Sequence, residues 1–332
     1  MKVTINDVAR HAGVSIKTVS RVMNNEPSVR KDTVDKVQAA INELQYQPNA
    51  AARNLASSRS FSIGYIYDNP NAYYVIDMQR GLLDACRKHG YELLIHPTNA
   101  KSPDIVQEVI DLVQHSRLAG LVLTPPFSEM PHIAAALEKI GVHFVRIISG
   151  STPSPKLSNC VLIDDFTAAF KITNHLLELG HTDIAFLCGE EEHSSSGERL
   201  AGYHEVLKGA GISADDVVHI ECDNQSEHSA KLTAEMLTAH PEIDGILAMS
   251  DVIAIGAIDA ARAMGRKVPD DLKIIGIDGI QAGERTDPPL TTMYQDSVEK
   301  GRLAAELALS DETGKTISLE TSLLLRGSSK SI

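Results

Sequence analysis

Hydrophobic residues recur at three- and four-residue intervals in the first 46 residues, and this spacing predicts three helices. A first helix is expected over about residues 5–12, because Thr4 and Asp7 stand at capping-box spacing and Gly13 can end it. A third helix is expected from about Lys31. The positions predicted to face inward are Val8, Ala9, Ala12, Val19, Val22, Val34, Val37, Ile41 and Leu44.

The second predicted helix has a polar and basic outer face. Ser15 can cap it, while Ile16, Lys17, Ser20 and Arg21 face outward. A helix, a glycine turn and a helix with such a face form the helix-turn-helix pattern, whose second helix fits the major groove of DNA. An ordinary helical hairpin with a solvated face is the alternative.

From residue 61 the pattern changes to short apolar runs that alternate with helical segments. The runs "FSIGYIYD", "YELLIHP" and "AGLVLTPP" are typical of strands, and the same order returns in "TDIAFLCGE", "DVVHIECD" and "DGILAMSD". Strands that alternate with helices predict parallel α/β sheets. Two such lobes form a cleft at the carboxyl ends of their strands, which predicts a two-lobed domain that binds a small molecule.

Charge is unevenly distributed along the chain, whose formal net charge is −13. Residues 1–60 hold 9 Lys and Arg against 5 Asp and Glu, and the remainder holds 22 against 39. A basic head on an acidic body suggests that the head, and not the body, meets a polyanion.

Other sequence features exclude several protein classes. No apolar run approaches the roughly 20 residues of a membrane span, and the N-terminus lacks the apolar core of a signal peptide, so a cytoplasmic protein is expected. The four cysteines are widely spaced, which predicts buried thiols without a metal. No cofactor is expected. The motifs GxSxG, HExxH, GxxxxGK[ST] and a strand-linked GxGxxG are absent, which counts against an enzyme. A transport-type binding protein would share the body, but the basic head and the missing signal peptide count against it.

The segment "VTINDVARHAGVSIKTVSRVMNN", followed by "YQPNAAARNLAS", resembles the DNA-binding head and hinge of the lactose-repressor (LacI-type) family of bacterial transcription regulators. The resemblance extends over the whole chain. It implies a helix-turn-helix domain at residues 1–46, a hinge helix at 47–60, and a two-lobed effector-binding and dimerisation domain at 61–332. The expected fold is therefore an all-α head and an α/β body similar to a periplasmic sugar-binding protein.

The resemblance also assigns roles in DNA contact. It places Ile16 and Lys17 at the start of the recognition helix and makes Leu55 a wedge in the minor groove. A hinge of about nine residues is too short to be a stable helix alone, so its folding is expected to depend on DNA. The positions assigned to DNA contact are Thr4, Ser15, Ile16, Lys17, Thr18, Ser20, Arg21, Asn24, Asn49, Ala52, Leu55 and Ala56.

A second set of residues is assigned to the cleft. Arg199 and Asp278 are the foremost candidates, because a guanidinium and a carboxylate suit vicinal hydroxyls. Alternatives stay open: Asp251 can cap a helix, Asp278 can be structural and Arg146 can lie in a subunit contact. The positions assigned to ligand contact are Asn71, Tyr73, Tyr74, Thr124, Arg146, His193, Ser195, Arg199, Asn224, Asp251, Asp278 and Gln295.

Two departures from the purine-binding branch of the family bear on the ligand. That branch favours Arg near position 193 and an aromatic residue near 224, where this chain has His193 and Asn224. A mono- or disaccharide is therefore expected, and release from DNA by that sugar is favoured over recruitment. Without a heptad tail after "SLLLRGSS", a homodimer on a near-palindromic operator is expected.

Overall fold

The computed structural model describes residues 3–23, 28–46, 61–69, 71–150, 158–189, 193–213 and 217–330. The chain divides into two compact units, Met1–Phe61 and Ser62–Ile332. The hinge predicted at residues 47–60 lies outside the described residues.

The described part of the first unit is helical, with α1 (Ile5–Ala12), α2 (Ile16–Met23) and α3 (Lys31–Glu43). The predicted capping box is confirmed, because the Asp7 carboxylate accepts from the Thr4 backbone N–H at 2.9 Å. Gly13 ends α1 with a φ of +66°, a conformation that glycine adopts without steric cost.

A small apolar core holds these helices together. Val8, Val19 and Val37, one from each helix, are fully buried, and Val22 and Ala40 extend the same cluster. The inward positions follow from the three- and four-residue spacing of the sequence.

The second unit consists of two α/β lobes. Lobe 1 contains a sheet in the order β11-β5-β4-β3-β1-β2, in which every neighbouring pair is parallel. Its elements are β1 (Ser62–Tyr67), α4 (Ala72–His89), β2 (Glu92–Pro97), α5 (Ile105–Ser116), β3 (Gly120–Leu123), α6 (Pro131–Lys139), β4 (Phe144–Ser149), β5 (Asn159–Ile163), α11 (Ser297–Leu309) and β11 (Thr316–Leu319).

Lobe 2 repeats this design with a sheet in the order β12-β10-β9-β8-β6-β7. Its neighbouring strands are parallel except β12, which runs antiparallel to β10. Its elements are α7 (Asp165–Glu178), β6 (Ile184–Cys188), α8 (Ser194–Gly209), β7 (His219–Glu221), α9 (Ser226–Ala239), β8 (Gly245–Ala248), α10 (Asp251–Ala263), β9 (Lys273–Asp278), β10 (Thr291–Tyr294) and β12 (Ser322–Leu324).

Along its described elements, the chain crosses between the lobes at three places. It passes from β5 into α7, from β10 into α11, and from β11 into β12. Asp165 begins α7 at the first crossing, and Gln295 lies in the second crossing. Side chains on these crossings therefore lie at the hinge about which the two lobes can change their relative orientation.

Glycines let paired helices pack closely on each lobe. A Cβ on Gly81 of α4 would lie 1.8 Å from the Val298 carbonyl oxygen of α11, and a Cβ on Gly301 would lie 2.3 Å from the Met78 carbonyl oxygen. Gly202 of α8 approaches the Phe166 carbonyl oxygen in the same way, at 2.3 Å. These contacts fix the helices that carry cleft residues against their neighbours.

Candidate functional site

The outer face of α2 carries an exposed apolar residue beside a cation. Ile16 is 49% exposed at the first position of α2, and Lys17 is also exposed, whereas Val19 and Val22 are buried on the opposite face. The Ser15 hydroxyl accepts from the Thr18 backbone N–H at 3.1 Å, which confirms its predicted capping role. An apolar tip and an ammonium at a helix N-terminus match groups that thymine methyls, base acceptors and phosphates present in DNA.

The remaining positions assigned to DNA contact divide into two groups. In the first group, Thr4 and Arg21 are exposed, and Thr4 directly precedes α1. Thr18 and Ser20 are half-buried on α2. The others lie outside the described residues: Asn24, Asn49, Ala52, Leu55 and Ala56.

Two chambers open at the carboxyl ends of the strands of the second unit. The larger chamber has a volume of about 90 Å³ and the smaller one about 30 Å³. Tyr74 and Gln295 line both chambers. The other residues that line the larger chamber are Asn69, Pro125, Ile147, Ile148, Ser149, Ile163, Asp165, His193, Ser195, Asn224 and Lys300. The other residues that line the smaller chamber are Asp77, Asp278, Gly279, Ile280, Asp296, Ser297 and Val298 together with Tyr294.

A buried ion pair joins the first crossing to lobe 2. The Arg199 guanidinium donates to Asp165 Oδ1 from Nε at 2.8 Å and from Nη2 at 2.7 Å, while its Nη1 donates to the Met249 carbonyl oxygen at 2.5 Å. The Ser149 hydroxyl donates to Asp165 Oδ2 at 2.6 Å. Burial by itself would raise the pKa of Asp165, but the Arg199 charge and these hydrogen bonds hold that pKa below its usual value.

A second buried cation lies on the lobe 1 side. Lys300 of α11 is only 3% exposed, and its ammonium donates to Gln295 Oε1 at 2.7 Å. Gln295 in turn donates from Nε2 to Asp165 Oδ1 at 2.8 Å, so the two crossings are hydrogen-bonded to each other. The Lys300 ammonium also lies 5.5 Å from the centroid of the Tyr74 ring. Burial lowers the pKa of Lys300 to about 8, although the charges of Asp165 and Asp278 oppose that shift.

Polar side chains outside the crossings also join the two lobes. Asn71 caps α4 by accepting from the Tyr74 backbone N–H at 3.3 Å, and its Nδ2 donates to Asp278 Oδ2 at 3.2 Å. Glu129 of lobe 1 accepts from the backbone N–H of Ser194, at the N-terminus of α8, at 3.0 Å. A carboxylate at a helix N-terminus is favourably placed for the helix dipole. These contacts depend on how closely the lobes approach.

Asp278 combines an unusual backbone with a perturbed carboxyl group. It stands at the end of β9 with a φ of +123°, a conformation that non-glycine residues rarely adopt. Burial raises the pKa of Asp278 to about 6, against the opposing charges of Arg199 and Lys300. Strained backbone of this kind is found where the surrounding structure fixes a functional group.

Several positions assigned to ligand contact lie away from the described chamber walls. Tyr73 is 45% exposed, and Thr124 is fully buried with its hydroxyl donating to the Ile66 carbonyl oxygen. Arg146 is half-buried, and its Nε donates to the Ser128 carbonyl oxygen.

Asp251 was expected either to contact the ligand or to cap a helix, and the structure gives it a different role. Its Oδ2 accepts from the backbone N–H groups of Gly279 and Ile280, both at 2.8 Å, and its Oδ1 accepts from the Thr292 hydroxyl at 2.6 Å. The cap of α10 is supplied by Ser250. Burial and the neighbouring Asp278 raise the pKa of Asp251 to about 8, while its three donors act in the opposite direction. Asp251 therefore holds the loop that follows β9, and with it Asp278.

Sequence reasoning missed two charged residues of the larger chamber, Asp165 and Lys300. Asp165 comes shortly after the apolar run "NCVLI", so the rule that polar residues follow buried strands could have found it. Lys300 stands at helical spacing with the buried residues Ala304 and Ala308. A lysine on the apolar stripe of a helix is a signal in itself, because a charged residue is rarely buried without a partner.

The described residues contain no group of three or more His, Cys, Asp or Glu side chains placed to hold a metal ion. Within the same part of the chain, no helix has the length and apolarity that crossing a membrane requires.

A helix-turn-helix head on the same chain as a two-lobed binding body defines a DNA-binding regulator that responds to a small molecule. The family model for "Bacterial regulatory proteins, lacI family" matches residues 4–49, and the model for "Periplasmic binding proteins and sugar binding domain of LacI family" matches residues 60–322. The chain belongs to the LacI family and is a DNA-binding transcriptional repressor. The family is non-enzymatic, which confirms that this chain is not an enzyme, and the predicted fold class is confirmed as well.

Individual relatives are similar to this chain over nearly the full length of both sequences. The ribose operon repressor of Halalkalibacterium halodurans is 31% identical, over 98% of this chain and 97% of the relative. The HTH-type transcriptional repressor PurR of Haemophilus influenzae (strain PittEE) is also 31% identical, over 99% of both chains. A crystal structure of the Lac repressor dimer bound to operator and the anti-inducer ONPF is similar with a TM-score of 0.79 and 25% identity, over 100% of both chains.

Proposed function

We propose that this repressor controls sugar-utilisation genes and that a mono- or disaccharide binds in the cleft of its second unit. We further propose that the protein binds a near-palindromic operator as a homodimer and that the sugar releases it. The observation that carries the sugar assignment is the composition of the larger chamber, where hydrogen-bonding side chains from both lobes face one cavity. Ser149 and Lys300 come from lobe 1, and Ser195 and Asn224 from lobe 2.

A sugar suits this chamber because each of its hydroxyls both donates and accepts hydrogen bonds. Among the described residues, the Ser149 hydroxyl is the one donor to Asp165 Oδ2, so this oxygen retains capacity for a ligand hydroxyl. The relatives support the assignment in part, since one is a ribose operon repressor and the matching family model is described as a sugar binding domain.

A purine is the competing ligand, because a PurR protein is an equally similar relative. A flat base requires an aromatic face on which to stack. Among the described residues that line the larger chamber, Tyr74 is the one with a phenol or phenyl ring, and the Lys300 ammonium lies over that ring. Asn224 has no ring, which favours hydrogen bonding over stacking at the position where the purine-binding branch has an aromatic residue. These features favour a sugar.

The proposed mechanism is linkage between the cleft and the operator. A ligand that contacts both lobes changes the free energy of contacts such as Asn71–Asp278 and Glu129–Ser194, which depend on lobe separation. Operator affinity then changes by the ratio of the ligand's affinities for the two states, and by no more than that ratio. The wedge role of Leu55 stays a prediction within this mechanism.

The proposal is tested by fluorescence anisotropy of a labelled duplex taken from the DNA upstream of this gene, at fixed salt. Neutral sugars, acidic sugars and purines are added one at a time to the preformed complex. The proposal predicts specific binding that one sugar reverses. Release by a purine alone contradicts the sugar assignment, and tighter binding with a sugar contradicts the direction of control.

Variants of the head control for non-specific DNA binding. Lys17→Gln removes an exposed ammonium, so the slope of log affinity against log salt is expected to fall by about 1 if Lys17 neutralises a phosphate. Lys36→Gln, an exposed position on α3, is the matched control. Leu55→Ala is expected to weaken operator binding strongly and non-specific binding little, whereas equal loss of both contradicts the wedge.

A further inference from the structure

Several N–H donors that line the larger chamber are not engaged by acceptors of the described residues. Asn69 Oδ1 accepts from the Asn71 backbone N–H at 2.8 Å, and Asn224 Oδ1 accepts from the Ser250 hydroxyl at 2.7 Å. The Nδ2 groups of both asparagines have no hydrogen-bond partner among the described residues. Each side chain thus has its acceptor engaged while its two N–H donors are left for another molecule.

Lys300 is the charged member of this donor set. Its side chain is nine-tenths or more buried, and it lines the larger chamber. An ammonium has three N–H donors, and Gln295 Oε1 is the one hydrogen-bond acceptor for Lys300 within the described part of the chain. A buried charge with so few partners is costly unless a further group compensates it.

The other charged side chains at this site are already engaged with protein groups. Arg199 directs two nitrogens to Asp165 and the third to a backbone carbonyl, and it does not line the larger chamber. Asp165 Oδ1 accepts from Arg199 and Gln295. Asp278 lines the smaller chamber and not the larger one. The cation with donors left over in the larger chamber is therefore Lys300.

We infer that the sugar carries an anionic group, and that the Lys300 ammonium binds this group while the Nδ2 donors of Asn69 and Asn224 serve its remaining oxygens or adjacent hydroxyls. A carboxylate or a phosphate offers acceptors without donors, which complements a donor-rich wall. Asp165 Oδ2 then accepts from a hydroxyl of the same ligand. This inference rests on the proposed sugar-binding function and narrows the ligand to a sugar acid or a sugar phosphate. Burial lowers the pKa of Lys300, and the nearby charges of Asp165 and Asp278 offset that shift only in part.

The experiment measures ligand affinity by isothermal titration calorimetry on the full chain at pH 7 and constant ionic strength. The probes are matched triplets of a neutral sugar, its sugar acid and its sugar phosphate: glucose with gluconate and glucose 6-phosphate, galactose with galactonate and galactose 1-phosphate, and ribose with ribonate and ribose 5-phosphate. The same probes are tested on Lys300→Met and on Lys273→Met. Lys273 is a matched buried lysine at the other end of β9, where its ammonium donates to the Pro269 carbonyl oxygen at 3.0 Å.

At least one acidic probe is expected to bind more tightly than its neutral parent. Lys300→Met should weaken that probe by about 10- to 100-fold, the range for a hydrogen bond to a charged group, while Lys273→Met leaves it within threefold. A cooperative thermal unfolding transition for each variant shows that it folds. The comparison of acid with phosphate identifies which anion is preferred.

The inference is overturned if no acidic probe exceeds its neutral parent, or if Lys300→Met retains the preference. A neutral sugar that binds and releases the operator overturns the anionic assignment but leaves the proposed function standing. Release of the operator by a purine and by no sugar overturns both.

Discussion

The side-chain amide of Asn71 donates to the carboxylate of Asp278 at 3.2 Å and so ties lobe 1 to lobe 2 across the cleft. Asn71 also caps α4, and Asp278 ends β9, so each partner is held by the secondary structure of its own lobe. The bond is therefore sensitive to lobe orientation. It also places a titratable carboxyl at the contact.

The free energy of unfolding should depend on pH through the titration of Asp278. Its pKa is about 6 in the folded chain, against an ordinary value of about 3.9 when unfolded. Between these values the folded state holds a proton that the unfolded state lacks, so this group's contribution to stability falls as pH rises from about 4 to 6 and stays low above that window. A shift of about two pKa units corresponds to about 2–3 kcal/mol.

Asp278→Asn should remove that contribution. The difference in melting temperature between the variant and the wild type should therefore grow in the variant's favour as pH rises from 4.5 to 7, as measured by calorimetry at each pH. Asp84→Asn, which removes an exposed carboxylate on α4, is the control. A constant difference across the range would show that Asp278 does not titrate there.

Removal of the charge on Asp165 should destabilise the second unit. Asp165→Asn keeps the shape of the side chain but leaves the Arg199 guanidinium buried without its counter-charge. Loss of one partner from a buried ion pair costs about 3–5 kcal/mol in the free energy of unfolding. Urea denaturation measures the effect, and Glu312→Gln in the exposed Lys315 pair should change it by less than about 1 kcal/mol. Similar losses for both variants would contradict the role assigned to the buried pair.

Two glycines of α8 allow the close packing of α7 against α8 to be tested by alanine substitution. Gly202→Ala would place a Cβ 2.3 Å from the Phe166 carbonyl oxygen, so overpacking is expected to cost about 1–3 kcal/mol or more. Gly209→Ala meets nothing within 4 Å, and it should be neutral or stabilise by up to about 1 kcal/mol through helix propensity. Equal melting temperatures for the two variants would rule out the close approach.

Substitutions three residues apart on α2 should separate DNA recognition from folding. Ile16→Ala removes an exposed side chain and should lower specific operator affinity while leaving thermal stability unchanged. Val19→Ala opens the core of the first unit and should cost about 2 kcal/mol in its stability. Anisotropy and calorimetry on both variants measure the two effects. A loss of stability in Ile16→Ala would indicate that this residue packs rather than recognises bases.

The sequence was informative wherever local periodicity decides structure. The bounds of α1, the cap at Ser15 and the buried faces of the head follow from spacing and capping chemistry, which act over a few residues. Parallel strands in both lobes follow from the alternation of strands with helices. The three crossings between lobes depend on contacts between distant segments, so no local pattern predicts them.

The distinction between local patterns and distant contacts also explains which residues of the site could be predicted. The family resemblance placed Asp278 and Gln295 in the cleft, and this agrees with the rule that ligands bind at the carboxyl ends of parallel strands. The partnership of Gln295 with Asp165 joins residues 130 positions apart, and it exists because two crossings meet. Lys300 was missed because a lysine in a helix is usually solvated, and its burial depends on the packing of α11 beneath the cleft.

In the proposed mechanism, one ligand in the cleft controls operator binding by linkage. It is tested most directly by measuring the affinity of the releasing sugar twice, once for the free protein and once for the operator-bound protein, under identical salt and pH. The sugar is expected to bind the complex more weakly, by the same factor by which it lowers operator affinity, because the coupling is reciprocal. Equal affinities in the two states would contradict it.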